Sequence, residues 1–237
     1  MTLDDLVVRL TTAFGSDLRA VVLYGSAVAG EQLPKRSRYD VLVIVDSLPL
    51  DRLMAKASVT RSWTEAGHPP PLLLTTAEWR SSPDIFPMEY ADILERHRVL
   101  HGQLPLDGVR VTPADLRLQV ENQAMGKLLQ LRQAVLALGE DAAQQGELLT
   151  ASLSAVMVVF RGVARLHGAT PPTDYEALSR LVAERAGFDP APFTAVVHHV
   201  RGSAPLAGDR VRPVLAGYLE GMERLVAHLD QFRSPSN

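Results

Sequence analysis

Two stretches carry residue types that can do chemistry. Leu23-Tyr24-Gly25-Ser26-Ala27-Val28-Ala29-Gly30 closes one apolar run, and Ser37-Arg38-Tyr39-Asp40-Val41-Leu42-Val43 opens the next. A strand that ends in Gly-Ser and turns into a helix can offer backbone N–H groups and a hydroxyl to a phosphate, because glycine allows close approach. The competing reading of Gly25 and Ser26 is an ordinary tight turn. At the start of the second run, residues two apart share a strand face, with Cα atoms about 6.6 Å apart. Paired acids there can hold Mg²⁺ ions that clamp a triphosphate. Here only Asp40 is acidic, and Arg38 stands two positions before it.

Asp40 therefore reads as a metal-binding, catalytic acid, as a solvated residue opening a strand, or as a partner of Arg38. Arg38 has three readings. It is a surface arginine paired with Asp40, a remnant of a lost site, or a guanidinium standing where a metal stood and gripping phosphate in a fork. Asp46 shares the face of Asp40 but lies at the far end of the run, about 20 Å away, too far to share an ion. Lys35 and Arg36 read as loop charges.

The elements that must position these residues follow from periodicity. Leu3, Leu6, Val7, Leu10 and Ala13 give helical spacing over 3–14. Strands are expected over 20–24, 40–45, 71–75 and 98–100, with a helix over about 50–66. Strands alternating with helices indicate an α/β sheet domain. Glycine and proline cluster over 102–108, a plausible junction. Domains are expected over 1–105 and 106–237. Beyond the junction, helices are expected from Thr112-Pro113 to about 138, over 141–166, from a Thr173/Glu176 capping box to Gly187, from Asp189-Pro190, and over about 209–232. The second half reads as an all-α helical bundle. The expected fold class is thus α+β/α, a mixed α/β sheet domain followed by a helical domain.

The Gly-Ser turn, the gap and the strand opening on an acid resemble the nucleotidyltransferase superfamily of polymerase β and kanamycin nucleotidyltransferase, over roughly residues 1–105. The resemblance implies transfer of a nucleoside monophosphate from a nucleoside triphosphate to an acceptor hydroxyl, with Mg²⁺. Under it Gly25 and Ser26 are nucleotide-binding, Gly30 is the small residue of the following turn, and Asp40 is the second acid of the pair. The first acid falls on Arg38, so the active site is degenerate. The strand at Pro69-Pro70-Pro71-Leu72-Leu73 opens without the family's third acid. In the helical domain the family's base position falls on Gln123, and an amide cannot act as a general base near neutral pH. Lys127, four residues on, matches a phosphate-binding lysine. Glu121 faces elsewhere on that helix. Glu89 and Glu95 lie close enough in sequence to the last strand to approach the site. A catalytically inactive homologue that binds a nucleotide or a partner protein is the alternative reading.

Composition sets outer bounds. The 237 residues include 22% charged and 46% hydrophobic ones, with net charge −3 and no cysteine. That excludes a disulfide framework, a cysteine-ligated zinc and a thiol nucleophile. It gives no global basic field for nucleic acid. The acidic Met1-Thr2-Leu3-Asp4-Asp5 start lacks signal-peptide character, and no apolar run is expected to approach a membrane span. A cytoplasmic location is expected, and a homodimer stays open. With 5% aromatic residues there is no obvious stacking platform for a base. Arg161 and His167 resemble the arginine-to-histidine motif of HEPN-type ribonucleases. The usual polar residue after the arginine is missing, so they read as part of an amphipathic helix. His97 with His101, and His198 with His199, read as structural.

Overall fold

A computed structural model describes residues 1–29 and 38–232, leaving aside the side chains of Ser26, Ala29, Ala55 and Lys56. It divides into two compact units, Met1–Thr112 and Pro113–Asn237. The expected α/β domain followed by a helical domain is what the chain forms.

The first unit is a four-stranded sheet in the order β3-β2-β1-β4, with β1 Leu18–Tyr24, β2 Asp40–Val45, β3 Leu72–Thr75 and β4 His97–Gly102. β1 pairs antiparallel with both β2 and β4, and β2 pairs parallel with β3. β1 and β2 are buried almost end to end, because helices cover both sheet faces. Alternate residues separate into two cores. Val21, Leu23, Val41, Val43 and Val45 pack with Leu6, Leu10 and Phe14 of α1 (Leu3–Phe14) and Trp63 of α3 (Leu50–Glu65). Ala20, Val22, Leu42 and Ile44 pack with Trp79 of α4 (Thr76–Ser81) and Tyr90 and Ile93 of α5 (Pro87–Glu95). The buried ring donors are satisfied: Trp63 Nε1 donates to the Pro69 carbonyl at 2.9 Å, and Trp79 Nε1 to that of Pro105 at 2.7 Å. Thr2 and Asp5 form a reciprocal capping box at the start of α1. A four-residue α2 (Ser26–Ala29) follows β1.

Sequence periodicity gives no helix between β3 and β4, yet α4 and α5 are there. Each is short, and each buries side chains in a core that only the folded sheet creates. The stretch after β4 also belongs to this core, since Leu104 and Val109 are buried against Trp79 and Tyr90.

The second unit comprises α6 (Pro113–Leu138), α7 (Ala142–Leu166), α8 (Tyr175–Ala186), α9 (Ala191–Val200) and α10 (Val211–Gln231). α7 is central: it packs on α6, α8, α9 and α10. It is the one helix among the described residues long and apolar enough to cross a membrane by length and composition, a test a bundle's core helix also passes. Its buried side chains Leu149, Leu153, Val156 and Phe160 lie inside this bundle. Asp141 caps α7 by accepting from the N–H groups of Ala143 and Gln144. The capping box expected at Thr173 and Glu176 does not form. Asp174, one residue later, accepts from the Ala177 N–H at 2.8 Å, and Glu176 pairs with Arg180 instead. A carboxylate in the N-cap position displaces the threonine from that role.

Candidate functional site

Two of the residues singled out in the first half, Gly25 and Asp40, meet at the end of β1. Gly25 leaves the strand with φ +75°, a left-handed conformation that favours glycine. The Val28 N–H then donates to the Gly25 carbonyl at 3.1 Å, and this turn starts α2. The strand register places Asp40 on one side of Tyr24 and His97 on the other. A Cβ on Gly25 would lie 2.9 Å from Asp40 Oδ2. The structure therefore brings Gly25 and Asp40 together. The Ser26 side chain, Gly30, Lys35 and Arg36 lie outside what is described.

Tyr24 gathers charge that the sequence did not reveal. Burial pushes its phenol well above the ordinary tyrosine range, and the carboxylates of Asp40, Glu89 and Asp92 push it the same way. Glu89 and Asp92 sit one turn apart on α5. Their action on the phenol puts negative charge from α5 at the same sheet end as Asp40. The sequence signal for this was weak, because α5 itself was not legible. His97 Nδ1 lies 2.7 Å from the Ile93 carbonyl, a bond that ties β4 back to α5.

Arg38 is exposed, and its charge acts on His68. His68 stacks on Trp63 with ring centroids 3.9 Å apart, and its Nδ1 accepts from the Tyr39 N–H at 3.4 Å. Burial lowers the His68 pKa, followed by the N-terminal charge and Arg38. Glu95 pairs with Arg96 at 3.4 Å. In the second unit Glu121 pairs with Arg117 at 3.1 Å, and half-buried Lys127 donates to Gln130 Oε1 at 3.3 Å. His167 ends α7 with its Nε2 3.0 Å from Nε2 of His228 on α10, so it serves helix packing.

Neither a family model nor a curated protein matches this sequence. Among solved structures, the chain is similar to the crystal structure of spectinomycin adenyltransferase AAD(9) from Enterococcus faecialis with ATP and spectinomycin. The identity is 12%, the TM-score 0.58, and the match covers 94% of this chain and 99% of that one. The two chains share a fold. At this identity the likeness is one of architecture, and it extends through both units.

The resemblance carried by Gly25, Ser26 and Asp40 implies Mg²⁺ held by paired acids at the end of the sheet. Among the described residues no three of His, Asp and Glu converge closely enough to hold an ion. Asp40 has an arginine, not an acid, two positions before it. Among the described residues the side chains do not make up a protein-built metal clamp.

Proposed function

We propose that this chain binds a nucleoside triphosphate at the turn after β1, and that the reaction this site is built around is transfer of a nucleoside monophosphate to an acceptor hydroxyl. Gly25 turns the chain sharply after β1, so that backbone N–H groups of the turn can meet phosphate oxygens, and Ser26 adds a hydroxyl. Asp40 is the retained catalytic acid and the one residue of the pair able to meet a metal ion. Arg38 offers a forked, permanently charged donor set to phosphate. Lys127 is a further phosphate contact by resemblance alone. The observation that carries this reading is the contact of Asp40 Oδ2 with the space above Gly25, which joins the acid to the glycine turn at one strand end.

A second reading has its own observation. With no convergent metal donors among the described residues, and Gln123 at the family's base position, the site binds a nucleotide without turning it over. Loss of a general base alone lowers a rate by about 10²–10⁴-fold. A homodimer is compatible with either reading and concerns a different surface.

Isothermal titration of each ribonucleoside triphosphate, with and without Mg²⁺, tests both. Mg²⁺-dependent binding that Asp40→Ala abolishes supports a working transfer site, and acceptors are then screened for product. Binding that ignores Mg²⁺ but needs Arg38 supports the binding-only reading. No binding of any triphosphate overturns both.

A further inference from the structure

α6 buries one face in its bundle through Leu116, Val120, Ala124, Leu128 and Leu131. A second apolar face turns outward. Leu118, Met125, Leu129 and Leu136 are 68%, 42%, 47% and 84% exposed. Among the described residues of the second unit, the large exposed hydrophobic side chains all lie on this helix. Single exposed leucines need no explanation, but a contiguous row marks an interaction surface. With Asn122 and Arg132 they form the series 118, 122, 125, 129, 132, 136, alternating steps of four and three. That is the seam of a coiled coil, about 27 Å long at 1.5 Å per residue. Val226, Ala227 and Glu223 of α10 form the other wall of the groove along it, whose volume is ≈830 Å³.

We infer that this groove receives α6 of a second copy of the chain, running antiparallel about a two-fold axis. A two-fold interface needs a surface complementary to itself. This row is symmetric in polarity about position 127. Reversing it sets Leu118 on Leu136, Met125 on Leu129, and Asn122 on Arg132. Apolar side chains meet apolar ones, and the Asn122 amide oxygen can accept from the guanidinium of Arg132. A parallel pairing sets Arg132 against its own copy, two like charges in the seam. Arg132 is already held by Glu223 at 2.8 Å, so part of the ordering precedes association. Asp230 on the α10 wall adds a negative charge to the groove that the approaching Arg132 enters.

Sedimentation velocity on the full chain, with cysteine cross-linking, tests this. The sequence contains no cysteine, so introduced thiols report alone. A dimer is expected whose dissociation constant rises about tenfold or more in Leu129→Asp. Leu129 is exposed, so far-UV circular dichroism of that variant is expected to match the parent. Under oxidation, Leu118→Cys is expected to cross-link with Leu136→Cys in a mixture, and neither with itself. That readout needs no destabilised variant. A monomer at about 100 μM overturns the proposal. So does a dimer that survives Leu129→Asp, or self-linking of Leu118→Cys, the parallel signature. A monomer that instead captures a foreign amphipathic helix on this row also overturns it.

Discussion

The carboxylate of Asp40 closes over the α-carbon of Gly25, with Oδ2 2.9 Å from where a Cβ would stand. The glycine is needed twice, for its φ of +75° and for the space the carboxylate occupies. Gly25→Ala is expected to cost about 1–3 kcal/mol of stability and to weaken triphosphate binding. In a double-mutant cycle, Asp40→Ala restores part of the loss by removing the obstructing oxygen, while the strained φ remains. Urea denaturation of the four proteins measures the coupling. Strictly additive losses would show that the carboxylate is not the obstacle.

Arg38 separates a forked contact from a diffuse charge. Arg38→Lys keeps the charge but removes the planar donor pair. If the guanidinium grips phosphate directly, triphosphate binding without Mg²⁺ falls about tenfold, a loss of about 1.4 kcal/mol. Unchanged titration isotherms would reduce Arg38 to a general field.

Tyrosine ionisation makes stability depend on alkaline pH. Burial, then Asp40, Glu89 and Asp92, raise the Tyr24 phenol. Burial lifts Tyr90 to about 12, opposed by a bond from Ser82 and aided by Asp84 and Glu78. Burial also raises Tyr218, opposed by its bond with Ser152. A raised phenol keeps its proton in the folded chain after the unfolded chain has lost it. Stability is therefore full below about pH 10, the unfolded value, and falls as pH rises through the folded values. Absorbance titration follows the phenolates directly. Glu89→Gln is expected to bring Tyr24 ionisation to lower pH. No change would mean that Glu89 does not act at this sheet end.

Local pattern made the strands legible, and tertiary placement hid the rest. β1 and β2 announce themselves as apolar runs, and Gly25 and Asp40 as a turn and a strand start, because each signal lies within a few residues. α6 and α7 are long enough for their periodicity to dominate. α4 and α5 are too short for that, and their buried Trp79 and Tyr90 gain meaning only against the sheet. Glu89 and Asp92 bear on Tyr24 because α5 packs beside β4, and β4 pairs with β1 rather than with β3. No local spacing encodes that strand order. Thr173 misled because a threonine followed by Glu176 matches a capping box, and Asp174 competes for the same amides.

Acid sensitivity is expected from the second unit. His167 and His228 approach through their Nε2 atoms at 3.0 Å, so one ring donates to the other and both cannot be protonated there. Burial lowers both pKa values, and His228 and Arg185 lower His167 further. A depressed histidine binds fewer protons folded than unfolded. Stability is thus full above the unfolded value near 6.5 and falls as pH drops below it. Denaturation midpoints at pH 7.5 and 5 measure this, and His228→Phe is expected to flatten the difference. An equal pH response in that variant would place the acid sensitivity elsewhere.

Gly102 ends β4 where the sheet leaves no room. Its φ is +70°, and a Cβ would fall 1.9 Å from the backbone carbonyl oxygen of Arg19. Unlike the obstruction at Gly25, this one is backbone and cannot rotate away. The Gln103 N–H donates to that same carbonyl at 3.1 Å, so relief by shifting the strand breaks the bond that fastens β4 to β1. Gly102→Ala is expected to destabilise the first unit by more than the roughly 1 kcal/mol of a simple left-handed glycine. Hydrogen exchange locates the damage: lost protection is expected at β4 and the adjoining β1 amides, while α7 keeps its own. Uniform loss across both units would mean that they unfold as one cooperative body.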